Sequence, residues 1–193
     1  MYTFWCDGRA SCFGDEGMLV VITGGPGAGK TTLLRELERR GFATVEDTPR
    51  AIIRSRRALG LSPRPSPLEF AEQVLRRDVE LYEQNPGQAL TFFDRGVPDA
   101  LAMVADAAPE RRAELVALAA DYPYHPVVFV LPPWEEIYIT DDERDHTFAH
   151  AVRVYESLVA WYQLCGYHVA SVPKLPVAER CDYVLSALSA RNA

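Results

Sequence analysis

An apolar run, Met18–Thr23, passes without a break into Gly24-Gly-Pro-Gly-Ala-Gly-Lys-Thr31, and a helical repeat through Leu33, Leu34 and Leu37 follows at once. Few folds accommodate that order. A strand buried on both faces has to turn sharply into a helix, through glycines that supply backbone angles other residues avoid. Gly24, Gly29, Lys30 and Thr31 meet the spacing G-x-x-x-x-G-K-[ST], the Walker A pattern, and they do so between a strand and a helix, where its mechanism requires them.

The alternation continues along the chain. Phe42–Glu46 reads as a second strand. Thr48 reads as an N-cap with Pro49 at the first position of a helix ending at Gly60. Ser66-x-x-Glu69 is a capping box opening a helix to about Tyr82, and Leu90–Asp94 is an apolar strand ending in a carboxylate. One helix is expected after Pro98 and another from Pro109 to about Ala120. Val127–Leu131 and Tyr167–Val172 are the remaining strands, joined by a helix over His146–Leu164, and a helix from Pro176 to about Ala190 closes the chain. The expected fold class is α/β, a P-loop NTPase with a five-stranded parallel sheet flanked by helices. One domain is expected over residues 18–193, after an extension, residues 1–17, that holds Cys6 and Cys12.

The glycine loop implies phosphate binding. Successive N–H groups of Gly25, Pro26, Gly27, Ala28, Gly29, Lys30, Thr31 and Thr32 (Pro26 contributing only its fixed φ) would surround the phosphates of ATP, on the positive end of the helix starting near Lys30. Lys30 would reach the terminal phosphates, and the Thr31 hydroxyl with Asp94 would hold Mg²⁺. Lys30 is one of only two lysines, beside Lys174, in a chain whose other 18 basic residues are arginines, so the choice of an ammonium there has weight. The same scarcity leaves no guanine-reading Asn-Lys-x-Asp, which favours ATP over GTP.

Asp47 and Arg50 follow the second strand and so fall at the carboxyl edge of the sheet, where open α/β proteins bind ligands. Asp47 reads as a general base or as a helix cap, and Arg50 as an anion ligand or a solvated side chain. Arg95 comes directly after Asp94. Arg144, in Asp141-Asp-Glu-Arg144, is a candidate lid arginine or part of a solvated charged face. Tyr122, Tyr124, Trp134 and Tyr138 could stack on a base or fill the core. His146 and His150 share a helix face without a further metal ligand in view.

With these residues the chain resembles the small kinase-like P-loop ATPases catalogued as an AAA-type family, similar to the nicotinamide riboside kinase domain and, more distantly, to nucleoside and nucleotide kinases. The likeness rests on Gly24–Thr31 with Thr32-Leu-Leu, Val45 through Arg50-Ala-Ile-Ile, Phe93-Asp-Arg-Gly96 with Pro98-Asp-Ala, and Pro132-Pro-Trp-Glu-Glu-Ile-Tyr138 with Asp141, Glu143 and Arg144. It implies a thymidylate-kinase-like core and transfer of phosphate from ATP, with Mg²⁺, to a small nucleoside- or nucleotide-like acceptor. Asp47 stands where the family usually carries Glu, and Asp145 where its lid is usually basic. The alternative expectation is a nucleotide-dependent ATPase or GTPase switch whose output is a partner-binding shape.

A net charge of −7 argues against nucleic acid as a partner. Neither a leader pattern nor a run of about 18 apolar residues is seen, so a cytoplasmic protein without membrane attachment is expected.

Overall fold

The computed structural model describes residues 17–87, 89–138 and 147–190. Among them, five parallel strands form one sheet in the order β2-β3-β1-β4-β5. The strands are β1 (Leu19–Gly24), β2 (Ala43–Val45), β3 (Thr91–Asp94), β4 (Val127–Leu131) and β5 (His168–Ser171). Interleaved with them are α1 (Lys30–Arg39), α2 (Thr48–Ala58), α3 (Pro67–Glu83), α4 (Val97–Ala107), α5 (Arg112–Leu118), α6 (Phe148–Leu164) and α7 (Val177–Ser189). Among these elements, none of the helices is long and apolar enough to cross a membrane.

Alternation along the central strands divides the core in two. Val20, Ile22, Phe92, Phe129 and Leu131 face Leu33, Leu37, Val184 and Leu188 of α1 and α7. Val21, Phe93, Val128 and Val130 face the other way, into Leu101, Leu115, Leu158 and Trp161 from α4, α5 and α6. Both faces of the sheet are therefore dry, which is why these strands read as unbroken apolar runs. α2 is bound more loosely, through Ile53 against Phe70, Val74 and Ala100.

Two local expectations are corrected. The Asp47 carbonyl already accepts the first helical bond, from Ala51 N–H at 3.2 Å, so Asp47 and not Thr48 is the cap residue of α2, and Thr48 is the first residue of the helix. The helix expected over Pro109–Ala120 is three short pieces. Ala108 lies at φ −138°, ψ 74°, outside the helical region, and i→i+3 bonds wind Pro109–Arg111 and Ala119–Asp121 as 3₁₀ turns on either side of α5.

The chain leaves β1 toward β2 and leaves its neighbour β3 in the opposite direction, toward β4, so the connections of these two adjacent strands diverge. The crevice this opens at the carboxyl ends of the strands is where an open parallel sheet takes ligand.

Candidate active site

The loop leaving β1 has left-handed glycines at Gly27 (φ 77°) and Gly29 (φ 87°), and Gly29 caps α1. A side chain at Gly24 would meet the Leu131 carbonyl oxygen at 2.6 Å, and one at Gly25 the Ala151 carbonyl oxygen at 2.6 Å. Lys30, only 7% exposed, donates from Nζ to the Gly24 and Gly25 carbonyls at 3.0 and 3.1 Å. Burial, with Arg95 adding repulsion, lowers its pKa to about 8, while Asp94, Asp47 and Asp99 act in the opposite sense. It still carries its charge at neutral pH.

β2, β3 and β1 are neighbours, and their carboxyl ends bring Asp47, Asp94 and the loop to one edge. Asp94 is buried, and its Oδ1 has no hydrogen-bond partner. Burial raises its pKa to about 6 against the pull of Lys30, so the site holds an underused carboxylate beside a cation. Asp47 sits between two guanidinium groups, with Arg50 Nε 3.5 Å from Oδ2 and Arg95 Nε 3.9 Å from Oδ1. Arg50 NH1 also donates to Thr31 Oγ1 at 3.5 Å. A cleft of about 390 Å³ opens here, lined by Thr31, Asp47, Arg50 and Asp94 among others. A larger hollow of about 580 Å³ lies along the outer edge of β5, remote from this cluster of charges.

Sequence reasoning missed the residue that organises the cluster. Asp99, on the first turn of α4 and 1% exposed, accepts hydrogen bonds from Thr23 Oγ1 and Tyr162 OH. It also accepts from Gly96 N–H at 3.1 Å and pairs with Arg95 NH1 at 3.5 Å. Arg95 itself holds φ at 72°, a conformation a non-glycine residue adopts only when its surroundings impose it. The signal available was local: an acid three residues past a strand-end glycine, at the start of a helix. Its partners Thr23 and Tyr162 are distant in sequence and gave none.

A second buried acid borders the cluster. Asp78 of α3 is 7% exposed with Oδ2 unpartnered, and burial, opposed by Thr48 and Arg95 and aided by the charges of Asp99 and Asp47, raises its pKa to about 7. Its folded pKa lies above its unfolded one. The stability it contributes is complete below about pH 4 and is lost as pH rises toward 7. Asp78→Asn should therefore gain on the wild type between about pH 5 and pH 8, by about 2 kcal/mol or some 4 °C in Tm. Parallel melting curves across that range would show that Asp78 does not titrate.

The structure places Lys30, Thr31, Asp47, Arg50, Asp94 and Arg95 at one edge of the sheet. Thr32 is exposed on α1. Arg144, with Asp141, Glu143, Asp145 and His146, lies outside the described residues, as do Cys6 and Cys12. The four aromatics separate: Tyr122 and Tyr124 pack edge-on against Tyr82 at 5.5 and 5.2 Å in the core, while the Tyr138 ring covers Gly27 of the loop. Among the described residues no group of His, Cys, Asp and Glu could alone hold a metal ion.

The strand order, the loop with its lysine and the strand-end carboxylate together define a P-loop kinase-like fold. The chain belongs to a family of AAA domains, whose sequence profile matches residues 19–180. In three dimensions it is similar to a deoxyadenosine kinase from M. mycoides with dCMP and dCDP bound, at TM-score 0.63 and 14% identity over 90% of this chain and 100% of that one. It is similar also to thymidylate kinase from Candida albicans, at TM-score 0.65 and 13% identity over 92% and 93% of the two chains. The NadR protein in complex with NR gives TM-score 0.64 and 19% identity over 89% of this chain and 50% of that one. No curated protein matches the chain in sequence.

Proposed function

We propose that the protein is a phosphotransferase that moves the γ-phosphoryl group of ATP to a hydroxyl or phosphate of a small nucleoside- or nucleotide-like acceptor. The observation that carries this reading is the convergence, at one sheet edge, of Lys30 in the phosphate-type loop with Asp47 and Arg50, which line the 390 Å³ cleft, and with Arg95, 3.9 Å from Asp47. A nucleotide switch needs the loop and a metal-side carboxylate. It has no use for a further acid and an arginine lining an open cleft, with a second arginine held behind that acid. The bound dCMP and dCDP of the deoxyadenosine kinase support an acceptor of nucleoside or nucleotide type.

Each residue has a role that follows from its surroundings. The loop amides and Lys30 hold the donor's phosphates, and the Lys30 ammonium exchanges its two carbonyl partners for phosphate oxygens. Thr31 and Asp94 fit Mg²⁺, because Asp94 Oδ1 is a buried oxygen with no partner of its own. Bound there, the ion would neutralise charge on the phosphates. Asp47 accepts the proton of an acceptor hydroxyl, while Arg50 and Arg95, held against it, bind the acceptor's anionic groups and steady the charge of the transferring phosphoryl. Arg144, outside the described residues, is proposed as a lid cation.

Asp47→Ala tests the assignment. ADP release is measured with and without a panel of nucleosides, nucleotides and hydroxylated metabolites. The wild type should show acceptor-stimulated turnover, and the variant should lose about 10²-fold of it while binding ATP nearly as before. Hydrolysis that no acceptor stimulates would favour the ATPase or GTPase switch.

A further inference from the structure

Buried charges in proteins are normally found with a partner, because unmatched donors in a low-dielectric interior are costly. Arg180 departs from this. It stands on the first turns of α7, is only 6% exposed, and has neither Nε nor NH1 hydrogen-bonded. What surrounds it indicates the missing partner. NH1 lies 2.8 Å from the point where a side-chain carbon on Gly29 would stand, and Ile137 Cδ1 lies 3.2 Å from the same point. The guanidinium carbon is 5.6 Å from the centroid of the Trp134 ring. One face of the guanidinium is thus occupied by an indole, and one edge addresses the limb of the loop that enters α1.

The sheet order sets this position apart from the charged cluster already described. β1 is central, Asp47 and Asp94 belong to β2 and β3 on one side of it, and Trp134 follows β4 on the other. Arg180 is a cation with unbonded donors on the flank where, among the described residues, no carboxylate meets it. The ligand it fits is an anion that the loop also grips, and a planar fork set over an indole is suited to phosphate oxygens.

We propose that Arg180 is a ligand for the phosphate chain of the donor nucleotide, reaching the loop from α7 on the flank opposite the acceptor cleft. The proposal rests on reading the loop as a nucleoside triphosphate site. It deepens that reading by assigning a second cation to the donor, from a helix the motif does not include. Trp134 is the positioning residue that holds its plane.

The role makes two measurements move in opposite directions. Removing an unmatched buried cation relieves the ligand-free protein, so Arg180→Met, whose stem still packs on Trp134, should keep or raise its Tm. The same change should weaken ADP and ATP binding by about tenfold or more in calorimetry, the scale of a lost hydrogen bond to a charged group. The deficit should narrow as salt rises and screens the phosphates. Arg180→Lys, which keeps the charge but not the fork, should fall between Met and wild type. If Arg180→Met lowers Tm while ADP binds as to the wild type, Arg180 is a structural prop and the proposal is overturned with the donor site intact. If the wild type itself binds neither ADP nor ATP, the reading of the loop fails and this inference with it.

Discussion

Lys30→Ala is expected to abolish almost all turnover, by about 10³-fold or more, and to remove most of the affinity for nucleotide, because no other lysine is near enough to take its place. The substitution should leave a folded protein. Among the described residues the ammonium donates to the carbonyls of Gly24 and Gly25, and the Gly24 carbonyl also accepts from Arg95 at 3.4 Å. An electrostatic effect accompanies the loss. Lys30 is the leading influence holding the Asp94 pKa down against burial, so in the variant Asp94 should take up its proton at higher pH than before. Lys30→Arg should rescue little. A forked guanidinium is wider than the ammonium, and the site leaves its occupant only 7% exposed. Titration of each variant with ATP and Mg²⁺ provides the check, and near-wild-type affinity in Lys30→Ala would falsify the assignment of the loop.

Asp99→Ala carries the largest expected cost in stability. The carboxylate receives hydrogen bonds from Thr23, Tyr162 and the Gly96 N–H and faces Arg95, and its loss leaves the first three without this acceptor in a dry interior and takes from Arg95 one of its two carboxylate neighbours. Breaking a buried charged pair in this way typically costs about 3–5 kcal/mol, which for a chain of this size is about 10 °C in Tm. Asp99→Asn keeps an oxygen for part of the network and should fall less. The second expected consequence is at the acceptor side. With Asp99 gone, Arg95 NH1 loses its ion-pair partner among the described residues, so in any variant that folds the acceptor KM should rise more than the ATP KM. A Tm within about 2 °C of wild type for Asp99→Ala would remove Asp99 from its organising place.

How far the site was legible in the sequence depended on the range of the interactions involved. The strand, loop and helix from Leu19 to Arg39 could be read because glycine angles, apolar runs and helical spacing act over a few residues. Asp94 and Asp47 could be placed at the sheet edge because parallel strands put all their carboxyl ends together. Asp99 and Arg180 could not be weighed in the same way. Their significance comes from Tyr162, 63 positions beyond Asp99, and from Gly29, met across α7 and the loop. The aromatics show the same boundary. Nothing near Tyr124 in the chain announces that it packs on Tyr82 and Phe93, and nothing near Tyr138 announces that it lies over Gly27. The misplaced cap at Thr48 has a smaller cause: both Asp47 and Thr48 can cap, and only the carbonyl geometry decides between them.

The bracing of the loop from outside has a consequence for how such chains change over time. Leu131, Ala151, Tyr138 and Arg180 each crowd one of its glycines, so a side chain at Gly24 or Gly25 would strike main-chain oxygen before any ligand was involved. Glycine at these two positions is a condition for folding. A descendant that had given up catalysis would keep them under that pressure alone, while Lys30, bound only to two carbonyls, would be released to drift. The lysine, and not the glycine pattern, is therefore the position whose replacement would first mark a chain that had stopped binding nucleotide.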